Sequence, residues 1–222
     1  MKTVELFLKK GKLVENGKID ESDEELSKGS NKVLITVHNT GIPNTPSLST
    51  RDAEFEDGPE YVFEDQYKVN NEEYLTTFFR GNAYGRFYVE VEVTSVTKPT
   101  KAAKVIQKLI SRVSESTFGL VPGGEIITSA VKTIGSSLVE LIGTEDKIQV
   151  LGHGVEGIDV DNLPNEIEIP LIVPKDVKMT KVSYEPRIGQ QKRKDRAIRN
   201  FQKKKLKADT PNGSITLGIK SV

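Results

Sequence analysis

The chain has 222 residues, 36% hydrophobic and 29% charged, which is enough apolar material for a core and too much for a disordered polymer. Lys plus Arg and Asp plus Glu number 32 each, so no net field draws the whole chain to nucleic acid or to a membrane. The absence of cysteine excludes disulfides, thiolate nucleophiles and every Cys-based zinc, iron–sulfur or haem-attachment motif, and no apolar run approaches the roughly 20 residues of a membrane-spanning helix.

In residues 3–8, Val4, Leu6 and Leu8 alternate with Thr3, Glu5 and Phe7, the pattern of a half-buried strand. Glu5 and Lys9-Lys10 interrupt any signal-peptide core, and a cytoplasmic location is expected. Residues 14–31 are polar and acidic, with turn signals at Asn16-Gly17 and Gly29-Ser30-Asn31. Val-Leu-Ile-Thr-Val at 33–37 reads as a buried strand, and the Gly-, Pro-, Asn- and Ser-rich stretch 39–50 reads as a loop. Aromatic-rich runs come next at 61–67 and 74–79, separated by Asn70-Asn71. The clearest strand is 86–96, with Phe87, Val89, Val91 and Val93 on one face and Tyr88, Glu90, Glu92 and Thr94 on the other.

Pro99 changes the period. Over 101–114 the apolar positions Ala102, Val105, Ile106, Leu109, Ile110 and Val113 have helical spacing, with Thr100 as N-cap. A turn built on Phe118, Gly119, Leu120 and Pro122 leads to a second helical pattern from Glu125 to Gly143. Residues 98–145 are therefore expected as a two-helix hairpin inserted in a single domain, 1–222. Strand signals return at 147–151, 166–173 and 177–184, and Asn212-Gly213 opens a last strand with Ile215, Leu217 and Ile219 facing one way.

Short strands spaced by turns predict a mainly β fold, an antiparallel β-sandwich with both terminal strands inside the sheets. Its strand order and wide loops are similar in architecture to C2-type sandwiches, although no sequence motif carries that likeness.

Chemistry is sparse. The two histidines, His38 and His153, have no Asp, Glu or His at the local spacings of metal ligands. His153 stands between Gly152 and Gly154, a setting shared by catalytic bases and plain turns, and the turn reading is the expectation. Gly152 to Gly157 fits G-x-G-x-x-G by letters, but the next residues, Ile158 to Asp161, do not read as a helix, so a dinucleotide loop is rejected. Asp159-Val160-Asp161 begins like a calcium loop, yet Pro164 and Pro170 occupy the positions that need Gly and Glu. The acidic run Asp52, Glu54, Glu56, Asp57 and Glu60 reads as a solvated loop before it reads as a cation site. No catalytic residue, metal ligand, cofactor or small-molecule substrate is assigned.

Two segments carry the functional expectation. Between Arg187 and Lys207 lie ten basic side chains against one acid, Asp195, while residues 15–73 hold fifteen acids against five bases. Ala197, Ile198 and Phe201 give the basic stretch a helical spacing, so a short basic helix near the C-terminus is expected. The second segment is the helical hairpin, expected first to pack as core against one face of the sandwich and second to dock through its apolar tip. The candidate interaction surface is accordingly Phe118, Leu120, Lys192, Arg193, Lys194, Arg196, Arg199, Lys203, Lys204 and Lys205. The expected function is a non-enzymatic binding or assembly module that contacts a protein partner, or a second copy, through sandwich loops and the basic segment. The alternative is binding of an anionic membrane or nucleic-acid phosphate through 187–207. A hydrolase built on His38 or His153 with the acidic loop is the third reading.

Overall fold

A computed structural model describes residues 2–17, 30–39, 47–63, 66–69, 72–75, 77–96, 148–185 and 198–222. These residues form strands β1 (Lys2–Leu13), β2 (Ser30–Asn39), β3 (Ser47–Ala53), β4 (Glu60–Val62), β5 (Gln66–Val69), β6 (Glu72–Leu75), β7 (Thr77–Ala83), β8 (Arg86–Val96), β9 (Ile148–Asp159), β10 (Glu166–Ile172), β11 (Val177–Glu185), β12 (Ile198–Leu206) and β13 (Pro211–Ser221). Every strand pairing among them is antiparallel, and no helix occurs among the described residues.

The antiparallel β expectation holds, but the C2-like sandwich of two facing sheets does not. One nine-stranded sheet runs β3, β2, β8, β9, β10, β13, β1, β4, with β7 also paired to β1. β1 shares its second edge between two partners: Lys2–Phe7 pairs with β7 and Lys10–Lys12 with β4. The sheet curls until its far ends approach, so that the Ser49 hydroxyl of β3 donates to the Phe78 carbonyl of β7 at 2.9 Å. The result is a nearly closed, barrel-like sheet. Near-closure removes most of the open edge that a flat sheet of this size would expose.

The core is the inner face of this sheet. Val4, Leu6 and Leu8 of β1, Val89, Val91 and Val93 of β8, and Ile215, Leu217 and Ile219 of β13 are all buried there, as their period-2 spacing predicts. Both terminal strands lie inside the sheet, with β13 between β10 and β1. Phe7 points outward and is still buried, because Gly218 opposite it leaves room for the ring: a Cβ on Gly218 would meet Phe7 at 2.2 Å.

Asn212 ties one region of the sheet together. It is fully buried, accepts from the Glu15 amide at 2.9 Å, and donates to the carbonyls of Glu15 at 3.0 Å and Leu151 at 2.9 Å. Asn16 continues this seam, donating to the Phe55 carbonyl at 2.8 Å, while Asn31 donates to the Asn16 carbonyl at 3.0 Å. The main-chain carbonyls of Glu15, Asn16 and Gly17 are therefore answered inside the protein, by Asn212, Asn31 and Ser95, although the segment belongs to no strand.

Three local expectations change. Ser47–Ala53, the end of the expected loop and the start of the acidic run, is strand β3, laid antiparallel on β2. Its polar composition hides the strand, but the open edge of β2 supplies the ladder. Ile198–Leu206, expected within a short basic helix, is strand β12, paired along its whole length with β11. The spacing of Ile198 and Phe201 is local, whereas β11 offers a row of backbone donors and acceptors that overrides it. His153 lies in the middle of β9, not in a turn. The expected helical hairpin, 98–145, and residues 187–197 of the basic segment lie outside the described residues.

Candidate functional site

Strand β8 carries the most unusual side chains in the sheet. Its valines face the core, so Glu90 and Glu92 project from the opposite, outer face. An outer face is ordinarily wet, yet both glutamates are 1% exposed. Their neighbours on that face, Leu34 and Thr36 of β2 and Val150 of β9, are buried as well.

The cross-strand register brings both histidines to this face. His38 of β2 lies opposite Tyr88, and His153 of β9 lies directly opposite Glu92. The His38 Nε2 sits 3.0 Å from Glu90 Oε2, and the His153 Nε2 sits 2.8 Å from Glu90 Oε1. An ionised carboxylate can only accept, so both imidazoles donate to it. Burial pushes the Glu90 carboxyl up, but the hydrogen bonds from His153 and His38, together with electrostatic attraction to both, hold the group below its ordinary range.

Glu92 is treated differently. Among the described residues, neither of its carboxylate oxygens has a hydrogen-bond partner. Burial, reinforced by the charge of Glu90, pushes its carboxyl well above the ordinary range. Two carboxylates on one buried face, one doubly hydrogen-bonded and the other orphaned, are costly to keep.

The glycines beside His153 have a packing cause. A Cβ on Gly154 would stand 2.2 Å from the Pro170 carbonyl oxygen and 2.8 Å from Ile169, so β10 can approach β9 there only over a bare backbone. Gly152 likewise meets Leu171 of β10, at 2.8 Å. With both neighbours turned in toward β10, His153 is turned out toward Glu90.

The residues expected to form the interaction surface are only partly placed. Phe118, Leu120, Lys192, Arg193, Lys194 and Arg196 lie outside the described residues. Arg199, Lys203, Lys204 and Lys205 fall on β12, opposite Tyr184, Thr180, Met179 and Lys178 respectively. β11 and β12 form a two-stranded ribbon separate from the large sheet. Val177 and Leu206, partners at its root, are buried in the core cluster. The root is held by Asp176, which pairs with Lys205 and accepts from the Ala208 amide at 2.9 Å. Lys205 first, then the Ala208 amide, hold the Asp176 carboxyl below its usual range.

The acidic run stays apart from both histidines. Asp52, Glu54, Glu56, Asp57 and Glu60 are exposed, Asp52 pairs with Lys32, and Glu60 pairs with Lys10 at 2.9 Å. Among the described residues these five do not gather into a ligand set; the set that does gather is Glu90, Glu92 and His153. Sequence reading missed that grouping because Glu90 and His153 are 63 residues apart and meet only across the sheet. One signal was available. Leu34 puts an apolar side chain on the outer face of β2, opposite Glu92, which points to burial of that part of the face. No family model, curated protein or solved structure matches the chain.

Proposed function

We propose that the protein is a non-enzymatic binding and assembly module, with the basic ribbon β11–β12 as its contact surface and an acidic protein surface, a second copy of the chain included, as its partner. The observation that carries this reading is the ribbon's register. Lys178 with Lys205, Thr180 with Lys203, Val182 with Phe201 and Tyr184 with Arg199 form alternate cross-strand pairs and so share one face. Four cations on one face of a two-stranded ribbon make an extended basic stripe. The same chain supplies a complement, the exposed carboxylates Asp52, Glu54, Glu56, Asp57 and Glu60. A basic stripe on one element and an acidic run on another favour head-to-tail association, which needs no symmetric patch. Residues 98–145 enter this reading as a helical hairpin inserted between β8 and β9 of one domain.

Light scattering after size exclusion at low and high salt tests the proposal. Mass above the 24.6 kDa monomer is expected at low salt, falling toward it at high salt. Charge reversal at Lys203, Lys204 and Lys205 should abolish the low-salt species. A chain that is monomeric at both salts would remove the assembly reading.

A second reading, binding of nucleic-acid phosphate, is favoured by one feature of the same register. Phe201 and Tyr184 share the face of the four cations, the mixture that stacks bases while neutralising phosphates. Fluorescence anisotropy with a labelled single-stranded oligonucleotide discriminates the two. Nucleic-acid binding requires affinity that falls linearly in log–log form with salt and is weakened by Phe201→Ala. Protein pairing predicts no oligonucleotide binding.

A further inference from the structure

We propose that Glu90, Glu92 and His153 form a binding site for a divalent first-row transition-metal ion, with His38 as the residue that positions Glu90. Three observations on the outer face of β8 and β9 lead there. First, the three side chains each bring a ligand atom to within 4.8 Å of the others. Ligands that share one small cation must lie this close, and here they come from adjacent strands in fixed register. Second, Glu92 is 1% exposed and both of its oxygens lack a partner among the described residues. A buried carboxylate keeps such a position at a cost unless something outside the hydrogen-bond network answers it. Third, Glu90 is already oriented. Its two oxygens are held by different histidines, at 2.8 Å and 3.0 Å, so a cation meets a carboxylate whose rotamer is set.

The donor set selects the class of ion. Two carboxylates and one imidazole nitrogen suit Zn²⁺, Mn²⁺, Fe²⁺ or Co²⁺. Ca²⁺ and Mg²⁺ take oxygen ligands and gain little from an imidazole. A dication also balances the charge of the two carboxylates that would hold it. On binding, the His153 Nε2 offers its lone pair to the ion in place of its hydrogen bond to Glu90, and the ring N–H moves to Nδ1. His38 keeps its hydrogen bond to Glu90 and acts through it. The route in is the His153 side: that side chain is 22% exposed, whereas Glu90 is 1% exposed.

The test uses the full chain, stripped with a chelator and titrated separately with Zn²⁺, Co²⁺, Mg²⁺ and Ca²⁺ by calorimetry, with visible absorption recorded for Co²⁺. The expected result is saturable 1:1 binding of Zn²⁺ and Co²⁺, visible Co²⁺ bands, and no comparable uptake of Mg²⁺ or Ca²⁺. Glu92→Gln and His153→Gln should each weaken Zn²⁺ by more than about 100-fold, whereas His38→Gln, acting through Glu90, should weaken it about 10- to 100-fold. Circular dichroism on each variant checks that the β fold persists. Because the wild-type titration stands by itself, a misfolded variant does not shield the proposal. Absence of 1:1 Zn²⁺ or Co²⁺ binding by the wild type overturns it, as does undiminished binding by a folded Glu92→Gln protein.

Discussion

Replacing Glu92 with Met should make the metal-free protein more stable. The two side chains are close in length and volume, so Met fills the same space with little strain. What it removes is a carboxyl that is 1% exposed and has no partner on either oxygen among the described residues. Relieving a buried polar group of that kind gains about 1–3 kcal/mol, more if it carries charge. For a chain of 222 residues each kcal/mol is worth about 2–4 °C, so the melting temperature should rise by about 2–12 °C. The companion change Glu90→Met lies two residues away on the same face and should act in the opposite sense. It orphans the two imidazole donors that now reach Glu90 at 2.8 Å and 3.0 Å, at a cost of about 3 kcal/mol or more. Urea denaturation of chelated protein, with the m-value checked for constancy, measures both. A Glu92→Met protein less stable than the wild type by about 1 kcal/mol, at unchanged m, would refute the reasoning, because Glu92 would then be making an interaction that Met cannot replace. The predicted gain also bears on function. A residue that stabilises the fold by being removed is kept for another purpose, and binding of a cation is the purpose its surroundings support.

Asn212→Ala should lower stability by on the order of 3 kcal/mol, because three buried hydrogen bonds disappear together and the Glu15 amide is left unanswered; thermal unfolding measures it, and a loss under about 1 kcal/mol would mean that the seam is not closed by Asn212. Gly154→Ala should cost about 1–3 kcal/mol, since its Cβ would stand 2.2 Å from the Pro170 carbonyl oxygen and force β9 from β10; the same melts report it. Asp176 has a carboxyl held below its ordinary value of 3.8, so its contribution at the ribbon root is complete above that pH and is lost as pH falls through the lower, folded value. The Ala208 amide resonance should therefore titrate with a midpoint below 3.8, and should not titrate in Asp176→Asn; a wild-type midpoint at or above 3.8 would contradict the pairing with Lys205.

How much of this was legible in the sequence depends on the range of the forces involved. Alternation at period 2 is a property of a few consecutive residues. It placed Val4, Leu6 and Leu8, then Phe87 to Val93, then Ile215 to Ile219 on the inner face before any partner was known. The burial of both terminal strands came from the same source. Asn70-Asn71 only separates two aromatic-rich runs in the sequence, and the pairing of β5 with β6 on either side of it comes from the structure. Strand partners are a longer-range matter. Ser47–Ala53 and Ile198–Leu206 carry weak or misleading local patterns, and they are strands because β2 and β11 present unpaired backbone edges to them. The sequence pattern predicts two facing sheets, and the single curled sheet follows from β1 dividing one edge between β4 and β7. The candidate site is the most tertiary feature of all. Each of His38, Glu90, Glu92 and His153 is unremarkable within its own strand: a half-buried strand reading sends both glutamates to water. Only the register of β2 on β8 on β9, together with burial of the outer face, turns them into two histidines on one carboxylate with an orphaned second carboxylate beside it. Burial of a face depends on what the rest of the chain lays against it, and no local period encodes that.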